Sequence, residues 1–287
     1  MIDVEGLEKR YGDVEAVGGI DFAVNPGEVV GLVGPNGAGK TSTLKTVAGL
    51  IEPTAGRVTV NGFDVAEREM RETLGFLPEE SPLYDDMSPR GYLRFFADLY
   101  DVPRETANER IESTLDRLGL DARDRAVGDF SKGMKRKVAI ARSLVNDPEV
   151  LVYDEPASGL DPQTTATVVD FTRELAAADK TVLFSAHDLY HVESVCDRVV
   201  ILRDGTVAAK GTLEEIREAH GTVEYRVYTD VSLDGAETSG DRWVTTVESM
   251  GDVEAVRDAT HAAGGEVVDI RTRESSLEDL FLEVTDA

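Results

Sequence analysis

The sequence predicts an α/β protein built on a parallel β-sheet with helices on both faces. Three short apolar runs, at residues 28–33, 150–153 and 181–185, have the length and composition of buried strands. Helical patterns at residues 41–50 and 163–177 alternate with these runs. This alternation indicates a parallel sheet, because parallel neighbours need a crossover connection that is usually a helix.

The remaining segments do not show this alternation of buried strands and helices. Residues 1–59 include short strands with turns, and we expect an N-terminal antiparallel β part there. Residues 84–146 predict three helices, which we interpret as a helical subdomain. From about residue 220, strand and helix patterns predict a small α+β appendage. We therefore expect two domains, residues 1–219 and 220–287.

A few polar side chains carry expectations of their own. Lys135, Arg136 and Lys137 are consecutive in the third predicted helix, and we expect them to form a basic face. Tyr153 stands in an otherwise apolar strand, so its hydroxyl needs a partner if it is buried. Cys196 is the single cysteine, which excludes an internal disulfide and a cysteine-cluster metal site, and we expect it to be buried.

Composition limits the function classes. Of the 287 residues, 41% are hydrophobic, which is enough for a folded core. No apolar run approaches the roughly 20 residues of a spanning helix, and the acidic N-terminus is unlike a signal peptide. These features predict a soluble, intracellular protein. With 56 acidic and 30 basic residues, the formal net charge is −26, so we do not expect a nucleic-acid partner.

The acidity is spread along the whole chain, which suggests adaptation to a salt-rich cell. Self-repulsion of this size destabilises a compact state at low ionic strength. At about 1 M salt the Debye length falls to about 3 Å, and most of the repulsion is screened. We therefore hypothesise a halophilic, haloarchaeal origin, with higher thermal stability in molar KCl than in dilute buffer. Equal melting temperatures in the two solutions would contradict this hypothesis.

A glycine-rich loop after the first buried strand predicts a phosphate site. It matches the pattern G-x-x-x-x-G-K-[ST] and runs Gly34-Pro35-Asn36-Gly37-Ala38-Gly39-Lys40-Thr41, followed by Ser42. The glycines let successive backbone N–H groups point at one anion, and the following helix adds partial positive charge. We expect Lys40 to contact the β- and γ-phosphates and the Thr41 hydroxyl to bind Mg²⁺.

Two carboxylates follow the second buried strand directly. Asp154 and Glu155 stand at its carboxyl end, where open α/β sheets hold ligands. We expect Asp154 to hold Mg²⁺, mainly through water, and Glu155 to act on the attacking water as a general base or orienting group. An acidic helix cap is the alternative for this pair.

Further motifs make the chain resemble the ATP-binding subunits of ABC transporters over about residues 1–215. The resemblance is carried by the signature-like Phe130-Ser131-Lys132-Gly133-Met134, the D-loop-like Ser158-Gly159-Leu160-Asp161, His187 and Tyr11. It implies a P-loop NTPase core. It also implies that Tyr11 stacks on adenine and that His187 is the switch histidine. In isolation, Ser131 could equally be an N-cap, and Tyr11 and His187 could be structural.

The resemblance also implies partners and cofactors. Two copies of the chain would close head to tail around two ATP molecules with Mg²⁺, and Ser131 and Gly133 of one copy would contact the γ-phosphate held by the other. Transport would run through a separate membrane permease, which places the chain at the cytoplasmic face of the membrane. We expect the other histidines, His191, His220 and His261, to be structural, and we expect Trp243 to lie in the core of the appendage.

Departures from the family pattern point to a subgroup. Lys132 and Met134 stand where the signature usually has glycine and glutamine, and Glu79 stands where a glutamine switch is usual, with Glu80 as a rival. A carboxylate there can still bind Mg²⁺ and water. These features, with residues 276–283, resemble exporters of drugs, sodium and polysaccharide.

Two alternatives to a transporter subunit stay open from the sequence. One is an ABC-type ATPase acting on ribosomes or DNA, although the single cassette and strong acidity disfavour it. The other is a regulatory module with little turnover, which the Glu79 substitution suggests.

Overall fold

The structure is a computed structural model that describes residues 1–186, 189–221 and 223–286. It forms two compact units, Met1–Leu213 and Glu214–Ala287, so the boundary falls a few residues before the position expected from the sequence. Within the described ranges, no helix is both long enough and apolar enough to cross a membrane.

The first unit contains two sheets and most of the helices. Its strands are β1 (Ile2–Tyr11), β2 (Val14–Val24), β3 (Val29–Val33), β4 (Ala55–Val60), β5 (Phe63–Asp64), β6 (Leu74–Leu77), β7 (Val150–Tyr153), β8 (Thr181–Ser185), β9 (Arg198–Arg203) and β10 (Thr206–Gly211). Its helices are α1 (Lys40–Val47), α2 (Arg68–Glu72), α3 (Pro89–Leu99), α4 (Arg104–Arg117), α5 (Lys132–Ser143), α6 (Pro162–Ala177) and α7 (Leu189–Val195).

The central sheet has the strand order β10-β9-β3-β8-β7-β6. All pairs from β9 to β6 are parallel, and β10 is antiparallel to β9 at the edge. Every residue of β3, β7 and β8 is buried, as expected for parallel strands covered on both faces. The predicted parallel sheet is therefore confirmed. The sequence did not predict β6 and β10, which are short edge strands defined by their pairing.

One face of this sheet shares a core with the N-terminal sheet, whose order is β2-β1-β4-β5 and whose strands pair antiparallel. This core includes Leu44 and Val47 of α1 together with Ile2, Leu7 and Leu32 from the two sheets. The opposite face packs against α7. A Cβ added at Gly31 would come within 2.9 Å of Val192 Cγ1.

Cys196 lies between α7 and β9 and is half-buried, so the expectation that it would be buried is only partly met. A Cβ at Gly31 would also come within 2.8 Å of its sulfur, so the thiol faces the sheet. Burial raises the pKa of the Cys196 thiol, and the nearby Asp197 acts in the same direction. A raised pKa keeps the thiol protonated, and the protonated form is a poor nucleophile.

Helices α3, α4 and α5 form the predicted helical subdomain and are held partly by charge. Glu112 on α4 accepts hydrogen bonds from Arg90 (2.5 and 2.9 Å) and from Arg123 (2.7 Å). These hydrogen bonds, of which the one from Arg90 has the largest effect, lower the pKa of Glu112 to about 2. The expected basic face of α5 is wrong at Arg136. Consecutive helical residues point about 100° apart, and Arg136 is buried.

The second unit has the elements α8 (Leu213–His220), β11 (Val223–Thr229), β12 (Glu237–Ser239), β13 (Arg242–Val247), α9 (Met250–Ala262), β14 (Val267–Glu274) and α10 (Leu277–Asp286). Its antiparallel sheet has the order β12-β13-β11-β14, with α9 packed on β11 and β13. The α+β character predicted for this segment agrees with these elements. Trp243, expected in the core, is only partly buried.

Candidate functional site

The glycine-rich loop joins β3 to α1 and is confined on two sides. Gly39 has φ of 99°, and a Cβ there would collide with the Ala16 carbonyl of β2. A Cβ at Gly34 would lie 2.5 Å from the Leu202 carbonyl of β9. Only glycine permits this backbone conformation and these close approaches, so the two sheets fix the loop in place.

Positive charge faces the space enclosed by the loop. Helix α1 begins at Lys40 with Gly39 as its N-cap, so its first N–H groups have no side-chain cap. The Lys40 ammonium donates to the carbonyls of Gly34 (2.7 Å) and Pro35 (3.2 Å). Burial lowers the pKa of Lys40, and the nearby carboxylates, led by Glu155, oppose that shift. A buried helix terminus beside a lysine is a typical anion site.

A cavity of about 480 Å³ opens beside this loop, within the usual size of ligand pockets. The residues that line it come from β2, the loop, α1 and the ends of two other strands, and they are Val14, Glu15, Ala16, Asn36, Gly37, Gly39, Lys40, Thr41, Ser42, Glu79 and Glu155. Glu79, and not Glu80, is among them. The loop that was predicted to bind phosphate and the carboxylate that was predicted to act on water thus face one space.

The strand-end carboxylates are buried and hydrogen-bonded. Asp154 is 1% exposed and Glu155 is 6% exposed. The Thr41 hydroxyl lies 3.5 Å from Asp154 Oδ1. Ser185, at the end of β8, donates its hydroxyl to Asp154 Oδ1 (2.7 Å) and accepts from the Glu155 N–H (3.0 Å). Three neighbouring elements therefore fix the positions of the two acids.

Tyr153 supports this strand end from behind. It is 1% exposed, and its hydroxyl lies 2.9 Å from Ser143 Oγ on α5. Ser143 already donates to the Ile140 carbonyl, so Tyr153 is the donor of the shared bond. Burial raises the pKa of Tyr153, which keeps the phenol neutral. The expectation that a buried Tyr153 hydroxyl would find a partner is confirmed.

The signature-like residues lie at the start of α5. Ser131 is its N-cap and accepts from the Met134 N–H (3.3 Å). A Cβ at Gly133 would lie 3.0 Å from Thr164 on α6, and the Lys132 ammonium lies against Gly159 of the D-loop-like segment. Ser131 and Gly133 do not line the cavity beside the phosphate loop.

The structure describes Tyr11 and three of the four histidines. Tyr11, the last residue of β1, is 48% exposed, and its hydroxyl lies 3.5 Å from Ser42 Oγ. Its ring is therefore accessible next to the first turn of α1. His187, predicted as a switch residue, lies outside the described residues. His191 lines a separate cavity with the D-loop-like segment, whereas His220 and His261 are exposed.

Sequence reasoning missed two residues that position the strand-end acids. Ser185 appeared only as the last residue of a strand, and Arg136 only as part of a basic face. The signal for Ser185 was its place at the carboxyl end of a buried parallel strand, where polar residues meet ligands. Arg136 had a weaker signal, because one of three consecutive basic residues on an amphipathic helix must point inward.

A phosphate loop between a buried strand and a helix, with an Asp-Glu pair ending another strand of the same parallel sheet, defines a P-loop nucleotide hydrolase. Comparison with known proteins then gives the family. The ABC transporter family profile matches residues 17–158. The chain is 40% identical over 227 residues to the ABC transporter ATP-binding protein NatA of Bacillus subtilis, covering 76% of this chain and 92% of NatA.

Another relative and a solved structure agree. The Nod factor export ATP-binding protein I of Burkholderia orbicola is 39% identical over 233 residues, which are 80% of this chain and 75% of that protein. A solved ATP-binding subunit of an ABC transporter superposes with a TM-score of 0.71 at 34% identity, covering 76% of this chain and 92% of that one. The chain belongs to the ABC transporter family as an ATP-binding, ATP-hydrolysing subunit.

Proposed function

We propose that this subunit powers export through a separate membrane permease, with two copies closing head to tail around two ATP molecules. One observation carries the proposal. The phosphate loop, Thr41 and Glu155 face one cavity, and Asp154 lies 3.5 Å from the Thr41 hydroxyl. The direction of transport rests on the relative whose name describes Nod factor export.

In this proposal the loop residues 34–41 and Ser42 bind the phosphates of ATP. The first N–H groups of α1 and the Lys40 ammonium carry the positive charge for the β- and γ-phosphates. To reach them, Lys40 would exchange its bonds to the loop carbonyls for bonds to phosphate oxygens. Tyr11 would stack on adenine, which its exposed ring beside Ser42 allows.

The residues beside the loop fit Mg²⁺. Mg²⁺ is usually held by one or two carboxylates together with substrate phosphates and water, rather than by a cage of protein ligands. Thr41 and Asp154 supply a hydroxyl and a carboxylate, and Glu79 is available at the cavity wall. In the described part of the chain, no cluster of three or more His, Cys, Asp or Glu side chains forms a metal site. When bound, Mg²⁺ would neutralise phosphate charge.

Hydrolysis follows from the place of Glu155. Its carboxylate would orient a water toward the γ-phosphate and accept the proton that the water loses. The loop N–H groups and Lys40 would stabilise the negative charge on the transferred phosphoryl group. Asp154, held by Ser185, would keep its oxygen directed at Thr41. The Glu79 carboxylate adds negative charge to the same cavity, which favours slow turnover.

A second copy is part of this proposal because one chain alone does not bring all the proposed site residues together. Ser131 and Gly133 lie at the N-terminus of α5 and do not line the cavity that contains Lys40. In a head-to-tail pair, these two residues would approach the γ-phosphate bound by the other copy. Hydrolysis would then depend on closure of the pair, which a permease could sense.

Substitution of Glu155 by Gln tests this proposal. The amide cannot accept the proton, so ATP turnover should fall by about 10²–10⁴ while ATP binding persists. Because bound ATP is no longer consumed, light scattering with saturating ATP and Mg²⁺ should show a stable dimer. The matched control is Glu109→Gln, an exposed acid on α4, which should hydrolyse ATP like the unaltered protein.

Two results would contradict the proposal. Unchanged phosphate release by Glu155→Gln would remove Glu155 from the chemistry. A Glu155→Gln protein that binds ATP but stays monomeric at all ATP concentrations would exclude the closed pair.

A further inference from the structure

Arg136 is a buried cation whose hydrogen-bond partners, within the described part of the chain, are all backbone oxygens. Its side chain lies on α5 in a residue that is 7% exposed. A guanidinium has five N–H donors, and each one meets a carbonyl. The acceptors are Pro156 (2.8 Å, from Nε), Pro78 (2.7 Å) and Glu79 (3.0 Å) from Nη1, and Asp154 (2.9 Å) and Glu155 (2.7 Å) from Nη2.

These carbonyls belong to two separate strand ends. Residues 78–79 follow β6, and residues 154–156 follow the neighbouring parallel strand β7. Arg136 itself stands in the second turn of α5, whose N-cap is Ser131. One side chain therefore connects the signature-like helix to the Glu79 segment and to the segment that contains both strand-end acids.

Glu155 has a backbone conformation that needs such support. Its φ is 50°, in the left-handed region that non-glycine residues rarely adopt. Such residues persist only where the surroundings hold them. Here the Glu155 N–H is held by Ser185 Oγ at 3.0 Å, and its carbonyl is held by Arg136 at 2.7 Å. The direction of the Glu155 side chain is thus set from both of its peptide groups.

Arginine is better suited to this position than lysine. Lysine would offer three donors from one atom and could not span carbonyls on two strands. The cost of the arrangement is desolvation. Burial lowers the pKa of Arg136 to about 10, against the opposing influence of Tyr153, Asp154 and Glu79. A buried guanidinium is therefore retained at a position where an apolar side chain would avoid that cost.

We propose that Arg136 is a positioning residue for ATP hydrolysis, which holds the Glu155 backbone and the Glu79 segment in one arrangement and links both to helix α5. A displacement of α5, such as engagement of Ser131 by a second copy, would then be transmitted to the Glu155 carboxylate. This inference rests on the role of Glu155 stated under the proposed function. It assigns no contact with ATP to Arg136, so its loss should affect turnover and spare binding.

The test is Arg136→Lys in the full chain, with Arg142→Lys as the matched control. Arg142 lies on the same helix and donates to the Tyr92 hydroxyl, away from the strand ends. For Arg136→Lys we expect kcat to fall by about tenfold or more, with KM for ATP and the affinity for the fluorescent analogue TNP-ATP within about twofold of the unaltered protein. Arg142→Lys should keep kcat unchanged.

A second variant separates positioning from folding. Arg136→Ala opens space at the same carbonyls, and millimolar guanidinium should restore part of its kcat per bound TNP-ATP, whereas ammonium at equal ionic strength should not. Arg136→Gln, with two amide donors and no buried charge, should fold and lie between the alanine variant and the unaltered protein. Rates expressed per nucleotide-binding site exclude any unfolded fraction.

The results distinguish this inference from the proposed function. Full kcat per site in Arg136→Lys, or loss of TNP-ATP binding in parallel with kcat, would overturn the positioning role. Equal rescue by ammonium and guanidinium would also overturn it. If Glu155→Gln is inactive while Arg136→Lys is fully active, only this inference fails. If Glu155→Gln itself hydrolyses ATP normally, the proposed function fails as well.

Discussion

The two units of the chain both combine strands with helices, but they bury those strands differently. In the unit Met1–Leu213, every residue of β3, β7 and β8 is buried, so these strands are covered on both faces. In the unit Glu214–Ala287 the sheet is antiparallel, and Val268 and Ile270 of β14 are each 45% exposed. The first sheet is an interior layer, whereas the second has a solvent-facing side.

This difference explains where the functional groups lie. Neighbouring parallel strands end at the same edge of a sheet, so Asp154, Glu155 and Ser185 meet there. All three residues are buried, and hydrogen bonds are electrostatically stronger inside a protein than in water. Adjacent antiparallel strands end at opposite edges, so the described neighbouring strands of the second unit do not bring their carboxyl ends together in this way.

The largest expected contrast concerns two glycines with left-handed backbones, one in each unit. Gly39 has φ of 99°, and a Cβ there would lie 2.4 Å from the Ala16 carbonyl, whereas Gly235 has φ of 77° and a Cβ there would meet open space. Gly39→Ala must displace the phosphate loop, so we expect ATP affinity to fall by about tenfold or more, at least roughly 1.4 kcal/mol. Gly235→Ala should cost only backbone strain, roughly 1 kcal/mol of unfolding free energy, and should leave ATP affinity unchanged.

Isothermal titration with ATP and urea unfolding measure the two effects separately. The contrast between the units would break down if Gly39→Ala bound ATP normally. It would also break down if Gly235→Ala weakened ATP binding, because the strain would then not be local.

A smaller contrast concerns two carboxylates of similar exposure whose arginine partners differ in number and burial. Glu112 lies between Arg90 and Arg123 in the first unit, and its pKa is lowered to about 2. In the second unit, the half-buried Asp269 meets the exposed Arg271 at 2.9 Å, and that hydrogen bond lowers the pKa of Asp269. Glu112→Gln should reduce the free energy of unfolding at pH 7 by about 1 kcal/mol, the upper range for partly exposed pairs, whereas Asp269→Asn should have a smaller effect.

The contribution of Glu112 to the free energy of unfolding should depend on pH in a direction that its depressed pKa sets. The folded-state pKa of Glu112 is depressed, so its contribution is present above the unfolded value near 4.5 and is lost as the pH falls toward about 2. The stability difference between the unaltered protein and Glu112→Gln should therefore shrink over that window, as measured by urea unfolding at successive pH values. A difference that stayed constant down to pH 3 would show that the variant acts through packing rather than charge.

Most of the fold could be predicted from local pattern. The strands β3, β7 and β8 are continuous apolar runs, and α6 and α9 have helical spacing, so their type follows from the residues alone. The missed strands show the limit. β6 is a four-residue edge strand, and β10 pairs with β9 at the other edge of the sheet. Such strands are defined by a partner distant in sequence, which local propensity does not report.

The residues of the candidate site also divide into those that local sequence predicts and those that it does not. The phosphate loop and the Asp-Glu pair are contiguous motifs whose chemistry is legible from residue order. The residues that hold these motifs in place are distant from them in sequence. Ser185 is 31 residues from the carboxylate it contacts, and Arg136 is 57 residues from the Glu79 carbonyl. These bonds exist only because parallel strands bring their ends together.

By itself, the sequence predicted the chemistry of this protein, because glycine spacing, a lysine, a hydroxyl and two carboxylates are the groups that can bind phosphate and act on water. It also determined the class of the central sheet through its buried strands. Only the tertiary structure decided that Arg136 points inward, that Ser185 joins the two acids, and that Glu79 rather than Glu80 lines the cavity. These outcomes depend on which donors and acceptors meet after long-range strand pairing, since buried polar groups must find partners wherever the fold places them.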